Sequence, residues 1–189
     1  MNKNKMMVAV LMALGSLSAA HAADAEPAKG KFGWVAKMDL EFGGDEVARV
    51  FYTDNTDQTV RAGQGLNFAG GVHYQPADSK FDFSATIGAK FLFTAGDNAN
   101  IHMRRFVLEA RADYWINDSY WVGIGPVYHT GIKLDGDGFM QNINFDNALG
   151  FTAKAGYKNF VLSYTNIDYK VNGFKVKASN IGLGVVGRF

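Results

Sequence analysis

The chain has 189 residues, of which 48% are hydrophobic, 14% aromatic and 20% charged, and its formal net charge is +1. This length favours one domain, and the even charge balance excludes a strongly basic nucleic-acid-binding protein. The absence of cysteine excludes a disulfide scaffold and a thiolate metal site. Beyond residues 6–14, no apolar run approaches the about 20 residues that a transmembrane helix needs.

The first 22 residues have the pattern of a secretory signal peptide. Two lysines give a positively charged start, residues 6–14 form an apolar stretch, and an Ala-x-Ala motif occupies residues 20–22. We therefore expect residues 1–22 to be removed during export and residues 23–189 to form a single exported domain.

The rest of the chain repeats one pattern, in which apolar and polar residues alternate over a stretch that ends in a turn signal. Alternation with a period of two predicts a β-strand with one apolar and one polar face. The alternation slips at residues 165–166 and near Ser179, which predicts a β-bulge at each place. The eight predicted strands cover about residues 32–42, 61–75, 81–93, 105–116, 122–133, 149–157, 160–171 and 174–189.

The connections between these strands alternate in length. The short ones are residues 76–80, 117–119 and 158–159, and the longer ones are residues 43–60, 94–103 and 135–147. The last connection is a tight hairpin with an Asn172-Gly173 turn signal. With eight strands, both chain ends and the first three short turns lie on one side, whereas the long connections and the Asn172-Gly173 hairpin lie on the other. Transmembrane barrels combine short turns and long loops in this way.

The sequence therefore predicts an all-β protein, an eight-stranded antiparallel up-and-down β-barrel. A soluble barrel such as a lipocalin is apolar inside, whereas a transmembrane barrel is apolar outside. The polar face carries mid-strand charges of both signs, which can pair inside a barrel of this size, and the apolar face is rich in aromatic residues near the strand ends. Both features favour the transmembrane barrel. The predicted lumen charge network consists of Lys37, Asp39, Glu41, Asp82, Lys90, Glu109, Arg111, Asp113, His129 and Lys133.

The last nine residues, 181–189, alternate apolar positions with glycines and end in Phe189. This ending resembles the closing strand of Gram-negative outer-membrane barrels, which the barrel-assembly machinery reads. The chain as a whole resembles the small eight-stranded barrels of the OmpA transmembrane-domain, OmpX and OmpW type. The resemblance implies a location in the outer membrane, with its lipids, lipopolysaccharide and the assembly machinery as partners. Barrels of this kind host adhesins, enzymes, pores and structural proteins, so the fold does not name the function.

His129 and the neighbouring Thr130 are the one candidate catalytic pair. Lipid-A deacylase barrels, which are similar in kind, use a His and a Ser close in sequence together with an acid. Here the alternation puts His129 in the lumen and Thr130 on the lipid face, so the two are not expected to meet as nucleophile and base. His73 and His102 lack the spacing of a zinc-ligand pair. We therefore expect neither catalysis nor a cofactor.

Five basic residues are predicted at the outer rim and are candidate lipopolysaccharide contacts: Arg61, Arg104, Arg105, Lys175 and Lys177. Arginine and lysine at that level can pair with lipopolysaccharide phosphates. Ordinary solvated rim charge is the alternative.

The third long connection carries two further patterns. Residues 135–138, Asp-Gly-Asp-Gly, imitate the start of a calcium loop, but the following residues do not complete its register. A solvated Gly-rich turn is the simpler interpretation. Phe139, Met140 and Phe145 are predicted to be exposed there, as a contact patch for an extracellular partner or folded back over the barrel mouth.

These observations favour a non-enzymatic outer-membrane protein that serves envelope structure or surface interaction through its extracellular loops. The alternative is a narrow pore for ions or small solutes, since small residues on the lumen face could leave space. A lipid-A-modifying enzyme around His129 is a third hypothesis. The glycines predicted on the lumen face are Gly65, Gly71, Gly88, Gly123, Gly125, Gly131, Gly182 and Gly184.

Overall fold

A computed structural model describes residues 30–51, 57–93, 101–136 and 141–189, so the expected signal segment lies outside the described residues. No helix among the described residues is long and apolar enough to cross a membrane. The described strands are β1 (Lys31–Phe42), β2 (Glu46–Phe51), β3 (Asp57–Arg61), β4 (Gly65–Gln75), β5 (Phe81–Phe93), β6 (His102–Trp115), β7 (Tyr120–Asp135), β8 (Ile143–Asn144), β9 (Ala148–Tyr157), β10 (Phe160–Asn166), β11 (Asp168–Val171), β12 (Phe174–Lys177) and β13 (Asn180–Arg188).

Eight of these strands close into an antiparallel barrel, as the sequence predicts. Around the barrel the order is β1, β4, β5, β6, β7, β9, β10 and β13, and β13 pairs back onto β1. The other described strands lie in the long connections on one side of the barrel. There, β2 pairs with β3, β11 pairs with β12, and β8 adds to the end of β7.

The two faces of the barrel wall are reversed relative to a soluble protein. On the outer face, Trp34 is 67% exposed and Leu149 is 73% exposed, whereas Lys90 and Asp113 on the inner face are fully buried. A closed sheet satisfies its own backbone hydrogen bonds, which is the condition for sheet structure in lipid. An apolar exterior around a polar interior is the arrangement of bacterial outer-membrane barrels. The inside-out prediction is therefore confirmed, and the barrel is of the outer-membrane type.

The Asn172-Gly173 hairpin is also confirmed. Val171 pairs with Phe174, and the two residues between them have φ angles of 49° and 80°. Positive φ at both central residues is the backbone of the type I′ turn that joins two-residue hairpins.

The predicted bulge at residues 165–166 is wrong. Thr165, Ile167 and Tyr169 are all buried, so the inward alternation continues without a slip from β10 into β11. The sequence predicts a slip there because Ile167 and Tyr169 are apolar, and apolar residues are expected on the outer face. The bulge predicted near Ser179 is also wrong. Thr165 pairs with Asn180 and Asp168 with Lys177, so the register is the same on both sides of Ser179, and Ala178 and Asn180 both face inward.

A bulge that the sequence analysis missed lies in β7. Arg104 pairs with Lys133 and Phe106 with Thr130, so β7 has one residue more than β6 over this stretch. Gly131 takes up the extra residue with φ +60°, a left-handed conformation that glycine adopts without a steric penalty. The shift turns Ile132 inward and Lys133 outward. The prediction of Lys133 in the lumen is therefore wrong, since its side chain is exposed.

Beyond this bulge the interior becomes apolar. Tyr169 and Ile132, from the β11–β12 hairpin and β7, are almost fully buried there. We call this apolar core the mouth cluster, because it lies between the outer barrel ends and the long connections. Its buried members are Val60, Ala62, Leu92, Ile101, Met103, Val107, Val127, Ile132, Leu134, Phe145, Ala148, Ile167, Tyr169 and Ala178. At this end the chain packs like an ordinary water-soluble protein, with its apolar side chains inside.

Candidate functional site: the barrel interior and its outer rim

Glu109 on β6 is the centre of the charge network inside the barrel. Its carboxylate accepts hydrogen bonds from Lys37 Nζ and Arg111 Nη1, each over 2.7 Å, and lies 3.1 Å from Lys154 Nζ. All four side chains are buried. Burying a charge is costly unless it is paired, and here one carboxylate is shared by three cations from three strands.

A second group of charges fills the end of the barrel that carries the chain termini. Arg188 Nη2 donates to Asp113 over 2.7 Å, and its Nε lies 3.4 Å from Asp82. Its guanidinium also lies 4.8 Å from the ring centre of Trp121, which is almost fully buried. A cation over an aromatic face is attracted by the ring's electrons. The arginine and tryptophan side chains therefore pack together across this end of the lumen.

Lys90 and Arg105 lie at the opposite, outer end of the network, beneath the mouth cluster. Lys90 pairs with Glu41 and donates to the Gly63 carbonyl over 2.6 Å. Arg105 is 2% exposed and donates to the Gln64 carbonyl over 2.8 Å. The prediction of Arg105 as an outer-rim lipopolysaccharide contact is therefore wrong. It alternates with outward Arg104 and so faces the lumen.

The structure places Lys37, Asp39, Glu41, Asp82, Lys90, Glu109, Arg111, Asp113 and His129 inside the barrel. Lys154, Arg188 and Arg105 also belong to the network, although the sequence analysis did not assign them to it. Lys154 and Arg188 do stand on the polar faces of their predicted strands, so the alternation contained the signal. Arg105 alternates with Phe106 and so also stands on a polar face, which conflicts with its prediction at the rim.

His129 lies between the charge network and the mouth cluster. Its Nδ1 lies 2.6 Å from the hydroxyl of Tyr169, whereas Thr130 points outward and donates to Asn147 Oδ1 over 2.8 Å. The two side chains are thus on opposite sides of the wall and do not form a nucleophile–base pair. Burial raises the pKa of Tyr169 to about 12, and the Arg105 guanidinium opposes part of this rise.

Two of the lumen glycines, Gly123 and Gly184, provide room for charged side chains. A Cβ on Gly123 would collide with the carboxylate of Asp113, and one on Gly184 would collide with that of Asp39. These glycines therefore accommodate their neighbours instead of leaving a channel. Gly131 differs from the prediction, since it lies on the outer side of the wall.

The remaining rim residues have different surroundings. Arg61 ends β3 and donates to the Gly44 carbonyl over 3.1 Å. Lys175 forms an ion pair of 2.7 Å with Asp168 across the β11–β12 hairpin, and Lys177 is exposed on the same hairpin. Arg104 is exposed on β6 and forms no ion pair with the described part of the chain. Arg104 also opens onto a pocket in the outer wall.

The patterns in the third long connection are partly outside the described residues, because residues 137–140 are not described. Phe139, Met140 and half of the calcium-like motif fall there. For Phe145 the structure supports the second interpretation, folding back over the barrel mouth, because its side chain is 8% exposed and packs in the mouth cluster. Within the described residues, no group of three His, Asp or Glu side chains is placed to hold a metal ion.

The comparisons with known proteins bear on the barrel fold and not on the function of the chain. The sequence matches no protein-family model and none of the curated proteins. Among solved structures, it is similar to Ail, the attachment invasion locus protein of Yersinia pestis, with 13% identity and a TM-score of 0.47 over 84% of this chain and 99% of that one. It is equally similar to neisserial surface protein A, with 13% identity and a TM-score of 0.47 over 84% of this chain and 97% of that one. By its own strand order and the orientation of its faces, the chain is an eight-stranded barrel of the outer-membrane type.

Proposed function

We propose that this chain is a non-enzymatic outer-membrane protein that acts through its extracellular surface and not through its lumen. The mouth cluster supports this proposal most directly. It lies over the outer end of a lumen that is already filled by paired charges. Ions would have to cross an apolar core and then displace those pairs, so a narrow pore is disfavoured.

The proposal includes the route to the membrane. The signal segment 1–22 is removed on export, and the C-terminal strand is read by the barrel-assembly machinery. In support, Phe189 and Trp34 exchange two backbone hydrogen bonds of 2.9 and 3.0 Å, which hold the last residue in the wall with its ring 54% exposed. Lipids and lipopolysaccharide then surround the apolar face.

The β11–β12 hairpin is the surface that we assign to an extracellular partner. Lys170 and Lys175 are direct cross-strand partners, and Lys177 is exposed beside them, while Asp168 is the hairpin's one carboxylate. Like charges placed opposite each other destabilise a hairpin, which favours a role beyond folding. Phe174 at the tip is 75% exposed. This combination suits an acidic polymer as the partner.

Two measurements test this function. Bacteria displaying the chain should adhere to beads coated with dextran sulfate more than to beads coated with neutral dextran. K170Q/K175Q/K177Q should remove the difference, whereas R104Q/K133Q, which changes exposed cations elsewhere, should keep it. In a planar bilayer, the refolded protein should show no discrete conductance steps. Stable steps that respond to Arg111→Gln would instead establish the pore.

A further inference from the structure

A small pocket lies on the outer side of the barrel wall, where β6 and β7 reach the extracellular end. Its volume is about 240 Å³, and it is lined by Arg104, Lys133, Leu134, Asp135, Asn142 and Asn144. This volume is below the roughly 300–1,000 Å³ of pockets that enclose whole small molecules. The pocket therefore suits a single charged head group.

Two cations stand opposite each other in this pocket. Arg104 and Lys133 are direct cross-strand partners, and both side chains are exposed. Neither forms an ion pair with the described part of the chain, unlike the exposed cations Arg49 and Lys175, which pair with carboxylates. Like charges directly opposite each other are destabilising. An anion between them would remove that cost.

The β7 bulge creates this arrangement. Without the extra residue at Gly131, the alternation would continue and Lys133 would point into the lumen. The bulge instead brings its ammonium to the outer wall beside Arg104. Bulges commonly re-aim a side chain next to a functional site.

The pocket borders the lipid-facing surface. On β5, Phe91 is the cross-strand partner of Arg104, and two residues further along β6 the ring of Phe106 is 57% exposed. Exposed aromatic rings at strand ends mark the level where acyl chains meet head groups. An anion in this pocket therefore belongs to a membrane lipid whose chains lie along the apolar wall.

We propose that this pocket binds the phosphate of a phosphorylated glycolipid in the outer leaflet, the lipid A part of lipopolysaccharide. Arginine binds phosphate through two parallel hydrogen bonds and lysine supplies a point charge. The side-chain amides of Asn142 and Asn144 can donate to phosphate or sugar oxygens. Asp135 leaves the pocket with a net charge of +1, from two cations and one carboxylate. The inference rests on the membrane orientation in the proposed function, but not on the extracellular partner.

Native mass spectrometry of the refolded protein in phosphate-free nonionic micelles tests the site. The probes are lipid A, lipid A with its phosphates removed, and inorganic phosphate. We expect the protein to retain lipid A, to bind the dephosphorylated form at least about 10-fold more weakly, and to bind inorganic phosphate only weakly. R104Q/K133Q should lose the preference for phosphate, while K170Q/K175Q, an equal change of charge on the β11–β12 hairpin outside the pocket lining, should keep it.

Three results would overturn the assignment. The first is equal retention of lipid A and its dephosphorylated form, and the second is an equal loss of the preference for phosphate in the two double variants. The third is binding of inorganic phosphate as tight as that of lipid A, which would make the ligand a free anion. Bead adhesion depends on the hairpin lysines, so its outcome is independent of the outcome of the lipid A experiment. Both double variants change exposed side chains, so we expect them to fold like the unmodified protein. Heat-dependent migration of each variant on a gel checks that the barrel has folded.

Discussion

Lys37 on β1 and Glu109 on β6 meet inside the barrel, with 2.7 Å between Nζ and Oε2, although neither strand pairs with the other. The contact crosses the lumen instead of following the wall. It ties together two parts of the sheet that the backbone ladder joins through β4 and β5 on one side of the barrel and through β13, β10, β9 and β7 on the other.

Glu109→Gln should be among the most destabilising single changes in the interior. Three cations lose their shared carboxylate, and breaking a buried ion pair costs about 3–5 kcal/mol. Urea unfolding of the refolded barrel in lipid vesicles, followed by tryptophan fluorescence, measures the loss. Glu46→Gln, at an exposed carboxylate, is the control and should change stability by less than about 0.5 kcal/mol. Equal effects would show that the lumen is hydrated enough to solvate its charges.

Ile87→Arg and Phe174→Arg test which parts of the exposed apolar surface lie in lipid. Both residues are largely exposed, at 62% and 75% respectively. Arginine on the lipid face costs about 2–4 kcal/mol near the midplane, so Ile87→Arg should lower the free energy of unfolding by about that amount. The second lies at the tip of the extracellular hairpin and should be close to neutral. Similar small effects in the same unfolding experiment would contradict the membrane orientation.

Gly131→Ala should destabilise the barrel by about 1–2 kcal/mol, because a residue with a side chain resists the left-handed backbone. Space is not the obstacle, since the nearest atom to a new Cβ is Phe106 Cδ2 at 3.4 Å. Gly70→Ala is the matched control. Its Cβ would also have room, with the Val35 carbonyl at 3.9 Å, and Gly70 is not among the glycines with positive φ. A neutral Gly131→Ala would show that the bulge relaxes.

Tyr169 should make stability fall at alkaline pH. Burial raises its pKa from 10.0 to about 12, so its contribution is complete below pH 10 and is lost as pH rises toward 12. Tyr169→Phe cannot ionise, and its stability should fall less over the same interval. Urea midpoints of the two proteins at pH 8, 10 and 11.5 give the comparison. Parallel curves would mean that Tyr169 ionises as an exposed tyrosine does.

The barrel itself could be predicted from the sequence because a lipid-facing wall requires strict alternation. Residues 81–91 follow that rule, and β5 spans Phe81–Phe93 in the structure. The rule fails where the wall leaves the membrane. Because Ile167 and Tyr169 are apolar, the sequence predicts them on the lipid face. Outside the membrane the outer face of the wall meets water, and these two side chains face inward.

The sequence locates most residues of the charge network but does not show which of them form ion pairs with each other. Alternation places Lys37, Glu109 and Lys154 on inner faces, but the contacts between them depend on which strands face each other across the lumen. The outer-rim pocket could not be found in this way. Lys133 reaches the pocket only because Gly131 adds one residue to β7. This strand contains several glycines, and the sequence does not indicate which of them forms the bulge.

The pairing of β1 with β13 joins the first and last strands of the barrel, with Val35 opposite Arg188. Until β13 is in place, β1 and β10 each present an unpaired row of backbone groups, which is costly in a bilayer and prone to association in water. The barrel therefore cannot close progressively as the chain emerges. Closure therefore requires all eight barrel strands, and we expect stable insertion into a bilayer only once the last of them is available.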